Sequence, residues 1–323
     1  MKTQCKICPK MCLIALGESG DCKVRFNIDG EIRPITYGHP CSVNVDPIEK
    51  KPLFHFLPGS QVLSLATFGC NLHCKNCQNW QISQDLPAEI DKYPELLSED
   101  VASLGEKEQC MSVAYTYTDP TVFYEYALDC SIKVNEAGLK NVLVSAGYIN
   151  KEPWLELCKY TDAANIDLKS MSNDFYKTNC GATLSPVLDA LVIAKENLML
   201  EVTNLIVPTL NDSDEDLKKL SRWIKENLGK DTPLHFSKFF PQYKMKNLPA
   251  TPLETLEKAK QIAESEGLQY VYIGNIGTEK GGNTYCPECK NMLIERVGYF
   301  VKKNIIYNGK CPACKAKIEG TWE

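Results

Sequence analysis

From residue 61 onward the chain alternates between two kinds of segment. Short apolar or β-branched runs recur at 61–68, 111–116, 140–145, 163–168, 200–207, 233–239 and 269–273, and helix-length stretches fill most of the gaps. Regular alternation of this kind means parallel strands joined by crossover helices. The clearest helix spans 212–228, with Asp212 or Ser213 at its N-cap and Gly229 past its end. A second spans 252–266, with Thr251 as N-cap, Pro252 at the first position, Glu254 at the capping-box position and Gly267 beyond. Six or seven such units make an open sheet or a partial barrel, because closure wants eight. The expected fold is therefore α/β, an open sheet or a partial (β/α)6-type TIM-like barrel. In that architecture ligands bind at the C-terminal ends of the strands.

The first run ends at Gly69, and three cysteines follow at Cys70, Cys74 and Cys77. This spacing turns three thiolates toward one point at the rim. Soft thiolates suit zinc or an iron–sulfur cluster. A closed zinc site or an ordinary cubane takes four protein ligands, so three local ones leave a position open for chemistry unless a fourth comes from elsewhere. Polar residues end other strands at the same rim. These are Tyr115 to Pro120, Ser145 to Tyr148, Asn165 to Lys169 and Val207 to Asp212. Asp167 and Lys169, two residues apart, share a face. Turn chemistry accounts for any one of these groups; several at one end of a sheet point to a site.

Sixteen cysteines is a high number, and eleven lie in three clusters. Clustering points to metal rather than disulfides. Cys5, Cys8, Cys12 and Cys22 supply four thiolates in a loop containing Pro9, Gly17 and Gly20, for zinc first or a second iron–sulfur cluster. Cys286, Cys289, Cys311 and Cys314 form paired C-x2-C knuckles of a metal ribbon, holding zinc or a rubredoxin-like iron. Cys41, Cys110, Cys130, Cys158 and Cys180 read as small buried hydrophobes. The chain divides into a cysteine-rich segment with a hairpin turning at Asp29-Gly30 (1–60), a barrel core (61–280) and the ribbon (281–323). The irregular, charged stretch 46–52 reads as a solvated loop.

The net charge is −5 and the pI about 5.6. No basic surplus exists to coat a nucleic-acid backbone. The N-terminus lacks a signal-peptide core, and no apolar run approaches the roughly 18–20 residues of a spanning helix. A soluble cytoplasmic protein without membrane partners is expected.

The stretch Gly69 to Trp80 resembles the cluster loop of radical S-adenosylmethionine (SAM) enzymes, in the form found in pyruvate formate-lyase activating enzymes. The chain is similar nearly end to end to the radical SAM enzyme of the AmmeMemoRadiSam system. That similarity rests on the N-terminal cysteines, Asp46 to Leu53, Asp167-Leu168-Lys169, Asn211-Asp212, Val271 to Asn275 and Asn283 to Pro287. The resemblance implies a 4Fe-4S cluster on Cys70, Cys74 and Cys77, with SAM on its fourth iron. Reductive cleavage of SAM would give a 5′-deoxyadenosyl radical that abstracts a hydrogen atom.

The same resemblance implies SAM contacts from Asn76, Tyr117, Thr118 and Asp119. Asn76 stands where relatives carry an aromatic, and Tyr117-Thr118-Asp119-Pro120 where they carry Gly-Gly-Glu-Pro. It places Asp167 and Lys169 at the methionyl group and a monovalent cation, with Glu152 as a further cation ligand. Val207 falls beside adenine and Tyr243 near the cofactor. A flavodoxin or ferredoxin-type reductant is implied, with either a protein substrate, as for glycyl-radical activases, or a small molecule or peptide. Memo-like and Amme-type proteins are the implied associates. Two other readings compete: a non-enzymatic zinc-ribbon or iron–sulfur adaptor, and an electron-transfer protein.

Overall fold

The computed structural model describes residues 1–87, 89–90, 92–276 and 281–323. Residues 277–280, at the expected end of the core, lie outside the described residues. The N-terminal segment pairs β1 (Lys2–Gln4) with β2 (Leu13–Ala15), then turns into the hairpin β3 (Arg25–Ile28) and β4 (Glu31–Pro34). The turn residues Asp29 and Gly30 have φ of 52° and 95°. Positive φ at both positions is the two-residue geometry that Asp-Gly favours.

The core follows as β5 (Ser42–Pro47), β6 (Gln61–Ala66), α1 (Trp80–Ser83), α2 (Ser98–Lys107), β7 (Ser112–Tyr115), α3 (Tyr124–Glu136), β8 (Lys140–Ser145), α4 (Lys151–Cys158) and β9 (Ala163–Asp167). It continues as α5 (Asn173–Phe175), α6 (Ser185–Asn197), β10 (Met199–Ile206), α7 (Asp214–Leu228), β11 (Leu234–Lys238), α8 (Leu253–Ser265) and β12 (Val271–Gly274). The sheet order is β12-β11-β10-β9-β8-β7-β6-β5. Strands β6 to β12 run parallel, and β5 pairs antiparallel on β6 from Ser42↔Ala66 to Pro47↔Gln61. All seven expected strand segments form, and β5 and β12 are the sheet's edges. Strands covered by helices have no solvent face, which is why they read as continuous apolar runs.

The helices close over the sheet with apolar stripes. Helix α7 buries Leu217, Leu220, Ile224 and Leu228, and Ser213 caps it by accepting from the Asp216 N–H. Gly229 follows at φ 97°. The N-cap expected at Thr251 is not observed. Helix α8 starts at Leu253 with Pro252 in the cap position. The Thr251 hydroxyl instead donates to Ile206 O at 2.6 Å and accepts from the Phe239 N–H at 2.9 Å, tying the ends of β10 and β11 together. That tertiary demand outweighs the local cap.

The larger correction concerns 46–52. Asp46 and Pro47 complete β5, and a 3-10 turn at Ile48–Lys50 follows. Ile48, Glu49, Lys51 and Leu53 are all buried. The charges made the stretch look solvated, but each buried one has a partner. Lys51 Nζ meets Asp46 at 2.7 Å, and Glu49 meets Arg296 of the ribbon.

The ribbon, β13 (Thr284–Tyr285), β14 (Met292–Val297) and β15 (Phe300–Asn304), touches both flanks of the open sheet. On the β12 side the Ile273 N–H donates to Gly281 O at 3.1 Å, and Tyr272 meets the Thr284 hydroxyl at 2.9 Å. On the other side the Leu57 N–H donates to Thr321 O at 2.7 Å. Phe54, Tyr270, Tyr272, Leu293, Ile294 and Ile318 fill the seam. Among the described residues no helix is long and apolar enough to cross a membrane.

Candidate active site

The cysteine loop leaves the end of β6 through Gly69, whose φ is +95°. A Cβ there would lie 2.7 Å from the Val24 side chain and 3.2 Å from Cys22 O. Only glycine makes this turn against the N-terminal segment. Backbone bonds pin the rest: Gly69 N–H to Ile82 O (2.9 Å), His73 N–H to Cys180 O (2.8 Å) and Lys75 N–H to Asn179 O (2.9 Å). The His73 ring bridges the Asp21 carboxylate (2.7 Å) and the Gln84 amide (3.0 Å).

Cys70, Cys74 and Cys77 line one cleft of about 440 Å³ at the C-terminal ends of the strands. Residues 116–119, Ser145, Ala146, Asp167, Lys169, Thr203 and Ser237 share its wall. Burial pushes the Cys70 and Cys77 thiols up. Contact with Cys180, together with burial, does the same to Cys74. Metal binding would displace these protons. Cys180 is buried beside Cys74 but does not line the cleft, so the cleft-lining thiols number three. The donor set fits a cluster with one iron left open.

The remaining expected residues fall into two groups. Asn76, Tyr117, Thr118, Asp119, Asp167 and Lys169 line the cleft. Asn76 Oδ1 accepts from Asn179 Nδ2 at 2.9 Å. The Thr118 hydroxyl donates to Thr67 O at 2.9 Å. Asp119 is buried, and its carboxylate accepts from the Thr121 N–H (3.0 Å), the Ala146 N–H (2.8 Å) and the Ser145 hydroxyl. It therefore braces the end of β7 against that of β8. Lys169 Nζ pairs with Asp167 at 2.7 Å. Burial alone would lower that ammonium's pKa, but Asp167 and the nearby thiols outweigh it and hold it well above its ordinary value.

Glu152, Val207 and Tyr243 are outside the cleft lining. Glu152 is exposed on the first turn of α4. Val207 is buried against Phe239 and Met245. Tyr243 stacks on Trp80 with ring centroids 5.5 Å apart.

The cleft also has walls that sequence reasoning assigned no role. Lys50 and Lys51 both reach the Asp46 carboxylate at 2.7 Å, and Ser64 and the Tyr117 hydroxyl bond the same group. Lys51 Nζ sits 4.4 Å over the Tyr117 ring, and burial pulls its pKa down to about 8. Across the cleft, Glu201 takes the His235 ring at 2.6 Å and the His55 N–H at 2.7 Å. Thr203 Oγ1 there is buried without a partner. The Asp46 to Lys51 stretch was visible as part of a resemblance; the Glu201–His235 pair had no local signal.

Away from the cleft, the thiols of Cys286, Cys289, Cys311 and Cys314 all lie within 4.8 Å of one another, a set of four ligands that could hold a metal ion.

A parallel barrel segment with three rim thiols and an ion pair beside them fits an enzyme that runs radical chemistry from an iron–sulfur cluster and SAM. The sequence model of the Radical SAM superfamily matches residues 64–224, and this chain belongs to that superfamily. An uncharacterized protein of Methanocaldococcus jannaschii is 48% identical over 323 residues, covering 98% of this chain and 95% of its own length. The pyruvate formate-lyase-activating enzyme of Clostridium pasteurianum is 28% identical over 211 residues, covering 60% of this chain and 86% of that enzyme. The structure of Streptococcus suis SuiB bound to S-adenosylmethionine shares the fold, with a TM-score of 0.53 at 12% identity over 71% of this chain and 53% of SuiB. Membership makes the chain an enzyme, so the adaptor and electron-carrier readings give way. The superfamily works with a 4Fe-4S cluster and SAM.

Proposed function

We propose that Cys70, Cys74 and Cys77 hold the 4Fe-4S cluster and that SAM occupies the cleft beside it. The observation that carries this is the convergence of three thiols and the Asp167–Lys169 pair on one cleft wall. A cluster bound there would pass on one electron, taken from a flavodoxin or ferredoxin-type donor, to break a sulfonium C–S bond of SAM, releasing methionine and a 5′-deoxyadenosyl radical for hydrogen abstraction. The protein's own share is orientation. Lys169 offers a charge to a methionyl carboxylate, and Asp167 takes an amine or a monovalent cation. Tyr117 presents its backbone at a positive φ of 62°, its hydroxyl held by Asp46, and Thr118 follows with its hydroxyl on Thr67 O. Burial of the wall excludes water.

Two targets fit. A protein partner is supported by the relative named as an activating enzyme. A small polar molecule is supported by the wall itself, where Lys51, His235 and Thr203 face the cleft. The 1–60, 61–280 and 281–323 segments act as cluster support, radical core and closing ribbon, with one zinc or iron ion in the ribbon. The test is binding of SAM to the reconstituted, reduced protein, read by electron paramagnetic resonance. A SAM-induced change in the cluster signal is expected. An unchanged signal with SAM in excess contradicts the proposal.

A further inference from the structure

The N-terminal cysteines Cys5, Cys8, Cys12 and Cys22 line one cavity, together with Arg25 and Asn71. Their arrangement differs from that of the ribbon thiols. Cys286 and Cys314 are 3.5 Å apart, and Cys289 and Cys311 3.7 Å. A single ion with metal–sulfur bonds of about 2.3 Å sets a tetrahedral edge of about 3.8 Å, so the ribbon is spaced for one ion. Among the described residues only the ribbon set has its ligand atoms within 4.8 Å of one another. The N-terminal thiols, like Cys70, Cys74 and Cys77, stand further apart around a shared space. A cubane spreads its thiolates in this way, one to each iron, around a body of four irons and four sulfides.

A second observation is independent of spacing. Arg25 is 4% exposed. Its terminal nitrogens are held by Glu125, at 2.6 Å twice, and by Val122 O at 3.4 Å. Its Nε–H is sealed from solvent and makes no hydrogen bond within bonding distance, on a side chain that lines the cavity beside the Cys5 sulfur, which helps hold the guanidinium's pKa up. A buried donor without an acceptor is costly. A sulfur atom of an anionic cluster would supply the acceptor, and the guanidinium would balance its charge.

We infer that Cys5, Cys8, Cys12 and Cys22 bind a second 4Fe-4S cluster, with the Arg25 Nε–H as donor to its sulfur. The site stands whether or not the central loop works as proposed. It abuts that loop, because Asn71 lies between Cys70 and Cys74 and also lines the cavity.

The test uses the full chain carrying Cys70→Ala, Cys74→Ala and Cys77→Ala, reconstituted anaerobically with iron and sulfide. About four acid-labile sulfides and, apart from any ion in the ribbon, four irons per chain are expected to remain, against about eight of each in the unsubstituted protein. Adding Cys8→Ser should remove them. A triple variant without labile sulfide, or one with zinc bound in place of iron at these cysteines, overturns the inference. In that case four irons in the unsubstituted protein would leave the central-loop reading intact. Four irons in both proteins would leave this inference standing and remove the other.

Discussion

Arg296 of the ribbon and Glu49 of the β5–β6 connection meet at 3.3 Å with both side chains fully buried, 247 residues apart in sequence. Arg296 also donates to Phe54 O at 2.7 Å and Gly282 O at 3.0 Å, and lies 4.3 Å over the Phe54 ring. This cluster locks the ribbon against the flank of the barrel that lines the cleft. Removing one member strands a buried charge. Arg296→Met is expected to cost about 3–5 kcal/mol in chemical denaturation, and Arg296→Met with Glu49→Leu to recover part of it. A double-variant loss equal to the sum of the two single losses would show that the pair does not couple the two parts.

His55 fastens the same seam. Its ring contacts Glu319 O at 2.6 Å and the Tyr272 hydroxyl at 2.7 Å. Burial, only partly offset by Glu201, pulls its pKa down to about 4. Between pH 6.5 and 4 the unfolded chain therefore binds a proton that the folded chain refuses. Stability falls as pH drops through that window, by at most about 3 kcal/mol from this group. Melting temperature against pH should show that acid limb, and His55→Gln should flatten it. An unchanged limb would assign it to other groups.

The ribbon metal should hold the seam in place. One zinc or iron ion per chain is expected at Cys286, Cys289, Cys311 and Cys314, and Cys311→Ser should abolish it. Hydrogen exchange at Thr284 and Ile294 should then rise while the barrel strands stay protected. Retained protection without the metal would make the seam self-sufficient.

Much of this architecture is legible in the sequence. The parallel strands announce themselves because helices cover one face and the β5–β6 connection packs much of the other, and Ser213 caps α7 because its hydroxyl bonds within that first turn, accepting from the Asp216 N–H and donating to the Asp216 carboxylate. Thr251 misleads because two distant backbone groups claim it. The stretch 46–53 is hidden because its charges are neutralised by Arg296 and by contacts within the fold. The cysteine spacing reveals the loop, since its three ligands are local. Glu201 and His235 stay invisible: each is one polar residue on a separate strand with no motif around it, and only strand packing brings them together. Glu152, expected at the site, is carried out to solvent by the start of α4.

The Asp167–Lys169 pair tests how SAM is oriented. Lys169→Met should leave the fold and the iron content intact, and lower the rate of SAM cleavage about 100-fold, the scale for losing one well-placed charged contact. The measurement is single-turnover 5′-deoxyadenosine formation at saturating SAM. A rate within twofold of the unsubstituted protein would place SAM elsewhere.

The most direct measurement is 5′-deoxyadenosine formation itself. The protein is reconstituted anaerobically with iron and sulfide, reduced, given SAM, and compared with Cys74→Ala. The account predicts 5′-deoxyadenosine and methionine in equal amounts from the unsubstituted protein and none above background from the variant. No product from the first, or equal product from both, would contradict it.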